Sequence, residues 1–214
     1  MDPHIANLRQ EYSAQTLLES DIARQPIEQF EKWWQQALES ELSEPNAMTL
    51  STASNDGMPS ARVVLLKGFD REGFVFYTNY KSYKAMQLEE NPRACLTFYW
   101  KELERQVKIV GLVSKVAEEE NDAYFASRPE GSRIGAWTSP QSSVIESREW
   151  LDSRFQQLVK EMGGTEVKRP PHWGGYVVKP VIVEFWQGRP SRLHDRIQYT
   201  LQENGEWKIE RLAP

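Results

Sequence analysis

Three segments of the chain set basic residues among aromatics and hydroxyls, the side chains that grip oxyanions and electron-rich rings. The first is Arg62-Val63-Val64-Leu65-Leu66-Lys67, followed by Tyr77-Thr78 and Ser82-Tyr83-Lys84. Positions 62 and 67 differ by an odd number, so in a strand Arg62 and Lys67 are expected on opposite faces. Lys84, at a helix start, adds its charge to unpaired backbone N–H groups, a natural seat for phosphate. On spacing alone, surface charge on an edge strand is the better reading of this segment.

The second segment carries Tyr124, Arg128, Ser132 and Arg133, then Trp137 and Gln141-Ser142-Ser143. Tyr124 and Arg128 stand four apart at a helix end and share one face. With a nearby serine they make an oxyanion clamp; an ordinary helix end with a polar loop reads the spacing equally well. The third is Trp186-Gln-Gly-Arg-Pro-Ser-Arg192-Leu193-His194-Asp195-Arg196. Arg192, His194 and Arg196 alternate, so an extended chain would point all of them to one side, toward an anion or an electron-rich ligand. A solvated hairpin charge run is the alternative.

Other chemistries lack their signatures. No G-x-G-x-x-G follows a strand, and there is no Walker A loop, H-E-x-x-H or G-x-S-x-G. Three histidines and one cysteine, Cys95, argue against a metal site and exclude an internal disulfide. A formal net charge of −5 has the wrong sign for delocalised binding to nucleic acid or an anionic membrane. No apolar run is long enough to span a bilayer, and the start MDPHIANLRQEY resembles no secretory signal, so a cytoplasmic protein is expected.

The elements that must position these residues read as a mainly β chain with interposed helices. Residues 1–25 are polar and unpatterned. A helix is expected over 26–42, where Phe30, Trp33, Trp34, Ala37, Leu38 and Leu42 recur at helical spacing. Strands follow over 47–54, 62–69 and 74–79, with a strong hairpin signal at Asn55-Asp56-Gly57. Ser82 caps a short helix to about 90. Strands are expected over 93–100 and 104–117, a helix over 118–127, a loop over 129–142 and a long helix over 144–162. The last part reads as strands over 175–179, 181–186, 196–202 and 207–212. Seven or eight strands without βαβ alternation point to an antiparallel barrel with peripheral helices.

Taken together, RVVLLK, FYTNYKSYKA, LERQV, YFASRPEGSRIGAW, QSS, EFWQG, RLHDR and WKIERLAP resemble the pyridoxine/pyridoxamine 5′-phosphate oxidase family, over about residues 8–214. The resemblance implies an FMN-binding split β-barrel over 26–214 behind a flexible lid, 1–25. It implies a homodimer with FMN at the interface. It also implies oxidation of pyridoxamine or pyridoxine 5′-phosphate to pyridoxal 5′-phosphate, with O2 becoming H2O2. FMN contacts carried over are Arg62, Val63, Val64, Leu65, Leu66, Lys67, Tyr77, Thr78, Tyr83, Lys84, Gln106, Gln141, Ser142, Trp186 and Arg196. Lys67, Tyr124, Arg128 and Ser132 would hold the substrate phosphate. Arg192, Leu193 and His194 would lie at the pyridine ring, with Arg192 and His194 near the carbon oxidised. Arg9, Gln10, Glu11 and Tyr12 would close over the substrate.

One departure stands out. The family pattern often has a basic residue between Ser82 and Lys84, where this chain has Tyr83, so weaker FMN retention is expected. Rival readings are a split-barrel flavin reductase or relative using a deazaflavin or haem ligand, a non-catalytic FMN or pyridoxal phosphate carrier, and a protein-interaction module with a basic groove.

Overall fold

The computed structural model describes His4, Leu8 and residues 11–214. Nine strands form one sheet: β1 (Ala47–Ala53), β2 (Pro59–Leu65), β3 (Gly68–Asp70), β4 (Gly73–Asn79), β5 (Arg93–Trp100), β6 (Arg105–Lys115), β7 (Trp173–Gln187), β8 (Asp195–Leu201) and β9 (Trp207–Arg211). Their order is β2-β1-β5-β6-β7-β4-β3, and β8 pairs with both β7 and β9. Among the described residues the longer helices are α1 (Pro26–Leu38), α2 (Tyr83–Glu90), α3 (Glu118–Ser127), α4 (Glu130–Thr138) and α5 (Arg148–Met162). The chain divides into two compact units, one of residues 1–50, 95–111 and 180–214, the other of 51–94 and 112–179.

In the first unit α1 supplies the aromatic core. Its Phe30, Trp33 and Ala37 fall on one face and are buried. Phe30 lies 5.2 Å from Phe98, Trp33 5.2 Å edge-on to Phe185, and Phe185 5.6 Å from Tyr199. Each such pair adds about 1 kcal/mol to simple burial. α1 stops at Leu38, short of the expected 42. The Ser40 hydroxyl donates to the Ala37 carbonyl, competing for the bond that would continue the helix. Cys95 of β5 is half-buried and free.

In the second unit β4 pairs with the start of β7, placing Tyr77 opposite Gly175 and Thr78 opposite Gly174. A Cβ on Gly174 would clash with the Tyr80 hydroxyl, and one on Gly175 would lie 2.8 Å from Tyr77. Buried Asn121 of α3 accepts from the Gly175 N–H at 2.7 Å and donates to Val116, fixing the helix to the strand. Phe125, Ile134, Val167 and Trp173 form the core beneath α3 and α4.

Four expectations are corrected. The strand over 62–69 is two strands, because the chain leaves the pleat at Leu66 and Lys67 before β3 begins. The loop expected over 129–142 contains α4, whose two glycines disfavour a helix but whose Ile134 is buried in the core. The long helix starts at Arg148, four residues late, because Ser147 caps it by accepting from the Trp150 N–H. The break expected at Pro180 is absent. β7 pairs with β4 through Val178 and with β8 from Ile182, so Pro180 falls between those two registers, where its missing N–H breaks neither ladder.

Candidate active site

The second unit holds a cavity of about 510 Å³ whose walls are the first two basic segments. β2 contributes Arg62, Val63, Val64 and Leu65; Lys67 follows from beyond its end, and β4 supplies Tyr77 and Thr78. Lys84 comes from the first turn of α2, Tyr124 and Arg128 from the end of α3, Ser132 from α4 and Gln141 from the loop after it. Arg62 and Lys67 therefore line one cavity, contrary to the parity argument, because Lys67 lies outside the strand whose alternation was assumed.

The electrostatics of this cavity are one-sided. Its lining includes Arg62, Lys67, Lys84 and Arg128 and, among the described residues, no carboxylate. Burial pushes the pKa of Lys84 down, and the neighbouring Arg62 charge pushes the same way. Burial also lowers Arg62 and Arg128. Lys84 donates to Gln141 Oε1 at 3.1 Å and Thr78 Oγ1 at 3.3 Å, and Thr78 donates to the same Gln141 oxygen at 3.0 Å. Arg62 donates to Thr52 and Ser60, whose hydroxyls both reach Gln87 at 2.6 Å. Arg128 Nη1 is buried with no partner among the described residues. Buried donors and cations left in this state are stabilised by an incoming oxyanion. Tyr77 stacks on Tyr124 at 4.0 Å and on Trp173 at 5.3 Å.

The first unit holds a second cavity of about 510 Å³, lined by Glu11, Tyr12, Arg189, Ser191, Arg192 and His194, with Leu8. The His194 ring lies 4.6 Å from Trp186, and Tyr12 packs edge-on to both at 5.8 and 5.7 Å. His194 Nδ1 accepts from the Arg189 N–H at 3.1 Å, so in the neutral ring the hydrogen is on Nε2. Burial, then the Arg192 charge, push the His194 pKa below its ordinary value.

Arg192, His194 and Arg196 do not share one extended face. Ser191 and Arg192 have positive φ (57° and 61°) in a short turn, which breaks the alternation. Arg192 and His194 turn into the cavity, while Arg196 enters β8 and donates to Glu184 at 2.8 Å and to the Ala213 carbonyl. Glu184 is buried and also receives Lys108.

The remaining expected residues stand apart from both linings. Leu66 is buried, Gln106 is half-buried on β6, and Leu193 is exposed. Ser142 is exposed at φ 70°, next to Gln141. Tyr83, half-exposed, begins α2 beside Arg62. Arg9 and Gln10 lie outside the described residues. Sequence reasoning missed Asn79, Pro129 and Trp173 in one cavity, Arg189 and Ser191 in the other, and Glu184 behind Arg196. Glu184 carried a signal: an acid inside the apolar run VIVEFW needs a buried partner.

Residues 34–160 match the family model described as pyridoxamine 5′-phosphate oxidase. The chain belongs to this family. Residues 173–214 match the model for the pyridoxine 5′-phosphate oxidase C-terminal dimerisation region. The pyridoxine/pyridoxamine 5′-phosphate oxidase of Nostoc punctiforme is 56% identical over 214 residues, covering all of both chains. That of Cupriavidus necator is 53% identical over 210 residues, 98% of this chain and 99% of its own.

Among solved structures, PhzG from Burkholderia lata 383, in complex with tetrahydrophenazine-1-carboxylic acid, superposes with a TM-score of 0.89. It is 32% identical and covers 94% of this chain and 100% of its own. A pyridoxamine 5′-phosphate oxidase-related, FMN-binding protein from Nostoc punctiforme, 17% identical, shares the fold (TM-score 0.71, 90% of this chain and all of that one). The mainly β split barrel with peripheral helices is thus the fold of the chain, as for other members of the oxidase family. No helix among the described residues is long and apolar enough to cross a membrane.

Proposed function

We propose that the chain is an FMN-dependent oxidase converting pyridoxine 5′-phosphate or pyridoxamine 5′-phosphate to pyridoxal 5′-phosphate. For the alcohol, substrate and O2 give the aldehyde and H2O2; for the amine, water is also consumed and ammonia released. The observation that carries this reading is the acid-free cationic cavity with the buried, unpaired Arg128 Nη1. It fits a phosphate dianion, the group that both FMN and the substrates carry.

Lys67, Tyr124, Arg128 and Ser132 hold the substrate phosphate through charge-assisted and hydroxyl hydrogen bonds. Arg62–Lys67, Tyr77, Thr78, Tyr83, Lys84, Gln106, Gln141, Ser142, Trp186 and Arg196 serve the cofactor. FMN, when bound there, would supply the two-electron acceptor for the hydride lost from substrate C4′, with O2 as the final oxidant. Arg192 orients the C4′ substituent, and His194, whose pKa burial and Arg192 push down, offers Nε2–H toward the ring in its neutral form. Arg196 is held in place by Glu184 beneath it. The expected contacts lie in two separate cavities, and the C-terminal segment matches a dimerisation region, which supports a homodimer with FMN at its interface. The net charge and the local cationic lining suit small phosphorylated partners in the cytoplasm rather than nucleic acid or membrane.

Anaerobic mixing of the FMN-loaded protein with pyridoxine 5′-phosphate tests the reading. Bleaching of the flavin absorbance that reverses in air, with pyridoxal phosphate formed, is expected. A flavin that stays oxidised with both substrates, or a protein that binds no flavin, overturns it.

A further inference from the structure

Arg105, the first residue of β6, is 3% exposed and forms no ion pair with an acid among the described residues. Its charge is met by three neutral amides instead. Nε donates to Gln187 Oε1 at 2.9 Å, Nη1 to Gln36 Oε1 and Nη2 to Gln15 Oε1. The guanidinium carbon lies 4.3 Å from the centre of the Trp33 ring. The Gln187 amide is oriented by its own donations to the Leu103 and Glu104 carbonyls at 3.2 Å, which leaves its oxygen for Arg105. A buried cation without a counter-ion is costly, and its fork of donors holds every acceptor it recruits in a fixed place.

One of those acceptors belongs to the segment of residues 11–17. Next to it, the Ala14 N–H donates to Glu104 Oε2 at 2.9 Å, and Arg189 donates to the Gln15 carbonyl at 3.1 Å. Leu17 is buried; its N–H donates to Asp195 and its carbonyl accepts from Arg211. Glu104 takes a left-handed conformation (φ 53°), its carboxylate accepting from Ala14 and its carbonyl from Gln187 and Gly188, a strain other contacts must offset. At the far end Tyr12 rests on Gly188, where a Cβ would lie 2.7 Å from it, and against Trp186 and His194.

We propose that Arg105 is a positioning residue for substrate binding: by fixing Gln15 it holds the segment 11–17 so that Glu11 and Tyr12 stay in the wall of the Arg192–His194 cavity. The inference rests on the oxidase reading for what occupies that cavity, but the anchoring itself does not.

The experiment uses the FMN-loaded full chain and Gln15→Leu, a change at an exposed residue that removes one of the three acceptors. Backbone amide exchange of residues 11–17 is expected to rise about tenfold and KM for pyridoxine 5′-phosphate five- to tenfold, with kcat and FMN affinity within twofold of wild type. Gln15→Glu, which restores an acceptor for Arg105, is expected to return both exchange and KM to wild-type values. Unchanged exchange in Gln15→Leu overturns the anchor; faster exchange with unchanged KM, or a fall in kcat alone, overturns the link to substrate. If the wild-type protein oxidises neither substrate, the function reading fails, and the exchange measurement still decides the anchor.

Discussion

The Arg128 guanidinium carbon lies 4.5 Å from the centre of the Trp173 ring, and that stacking leaves Nη1 buried and unpaired among the described residues. The ring supports the flat face of the guanidinium while its edge faces the cavity, an arrangement a flexible ammonium does not reproduce. Arg128→Lys is expected to lose about 2 kcal/mol of phosphate binding, read as roughly a thirtyfold rise in substrate KM with FMN affinity retained. Steady-state kinetics with flavin titration check this; an unchanged KM removes Arg128 from the phosphate site.

On the proposed role of Lys84 at the cofactor phosphate, FMN binding is expected to depend on pH, with a sign that follows from the surroundings of Lys84. Burial and Arg62 lower its pKa in the free protein, whereas a bound phosphate favours the charged ammonium. FMN affinity is therefore complete below the free-protein pKa and declines as pH rises through it, a limb that begins below the ordinary lysine value of 10.5. Lys84→Arg is expected to abolish this alkaline limb. Fluorescence titrations of FMN across the alkaline range make the comparison, and an identical limb in both proteins would assign it to another group.

Tyr83 lies between Ser82 and Lys84, half-exposed beside Arg62. Its phenol offers one hydrogen bond where a guanidinium offers a charged fork. Tyr83→Arg is expected to tighten FMN binding several-fold in equilibrium dialysis. No change, or weaker binding, would show that this position does not reach the phosphate.

His194 and Arg192 are coupled through the cavity they share. Burial and the Arg192 charge both disfavour the imidazolium and push the His194 pKa below its ordinary value. Arg192→Ala removes the like charge and is expected to move the His194 titration upward in NMR. It is also expected to lower turnover far more than FMN affinity; equal losses in both contradict the role assigned to Arg192.

Much of the fold was legible because its local signals agree with its packing. Phe30, Trp33 and Ala37 announce a helix and are the residues α1 buries, and Glu118–Ser127 is helical as read. The failures came where tertiary contacts outweigh propensity. Gly131 and Gly135 argue against α4, yet Ile134 reaches the core. Pro180 argues against a continuous strand, yet β7 changes partner there. At the site, the basic and hydroxyl residues were visible by type, but their directions were not. Lys67 has left its strand and Arg192 has crossed to positive φ, so pleat parity misplaced both. Trp173 was invisible as a support for Arg128, because 45 residues of sequence separate the two.

The proposed reaction releases peroxide at each turnover, and the chain's single thiol bears on how the protein would withstand it. The thiolate is the form peroxide attacks fastest. Cys95 is half-buried in β5, and burial pushes its pKa up, against the opposing pull of Thr97 and Lys108, so the thiol stays protonated. Met58 and Met86, by contrast, are exposed, so peroxide can reach their thioethers at the surface without entering the core.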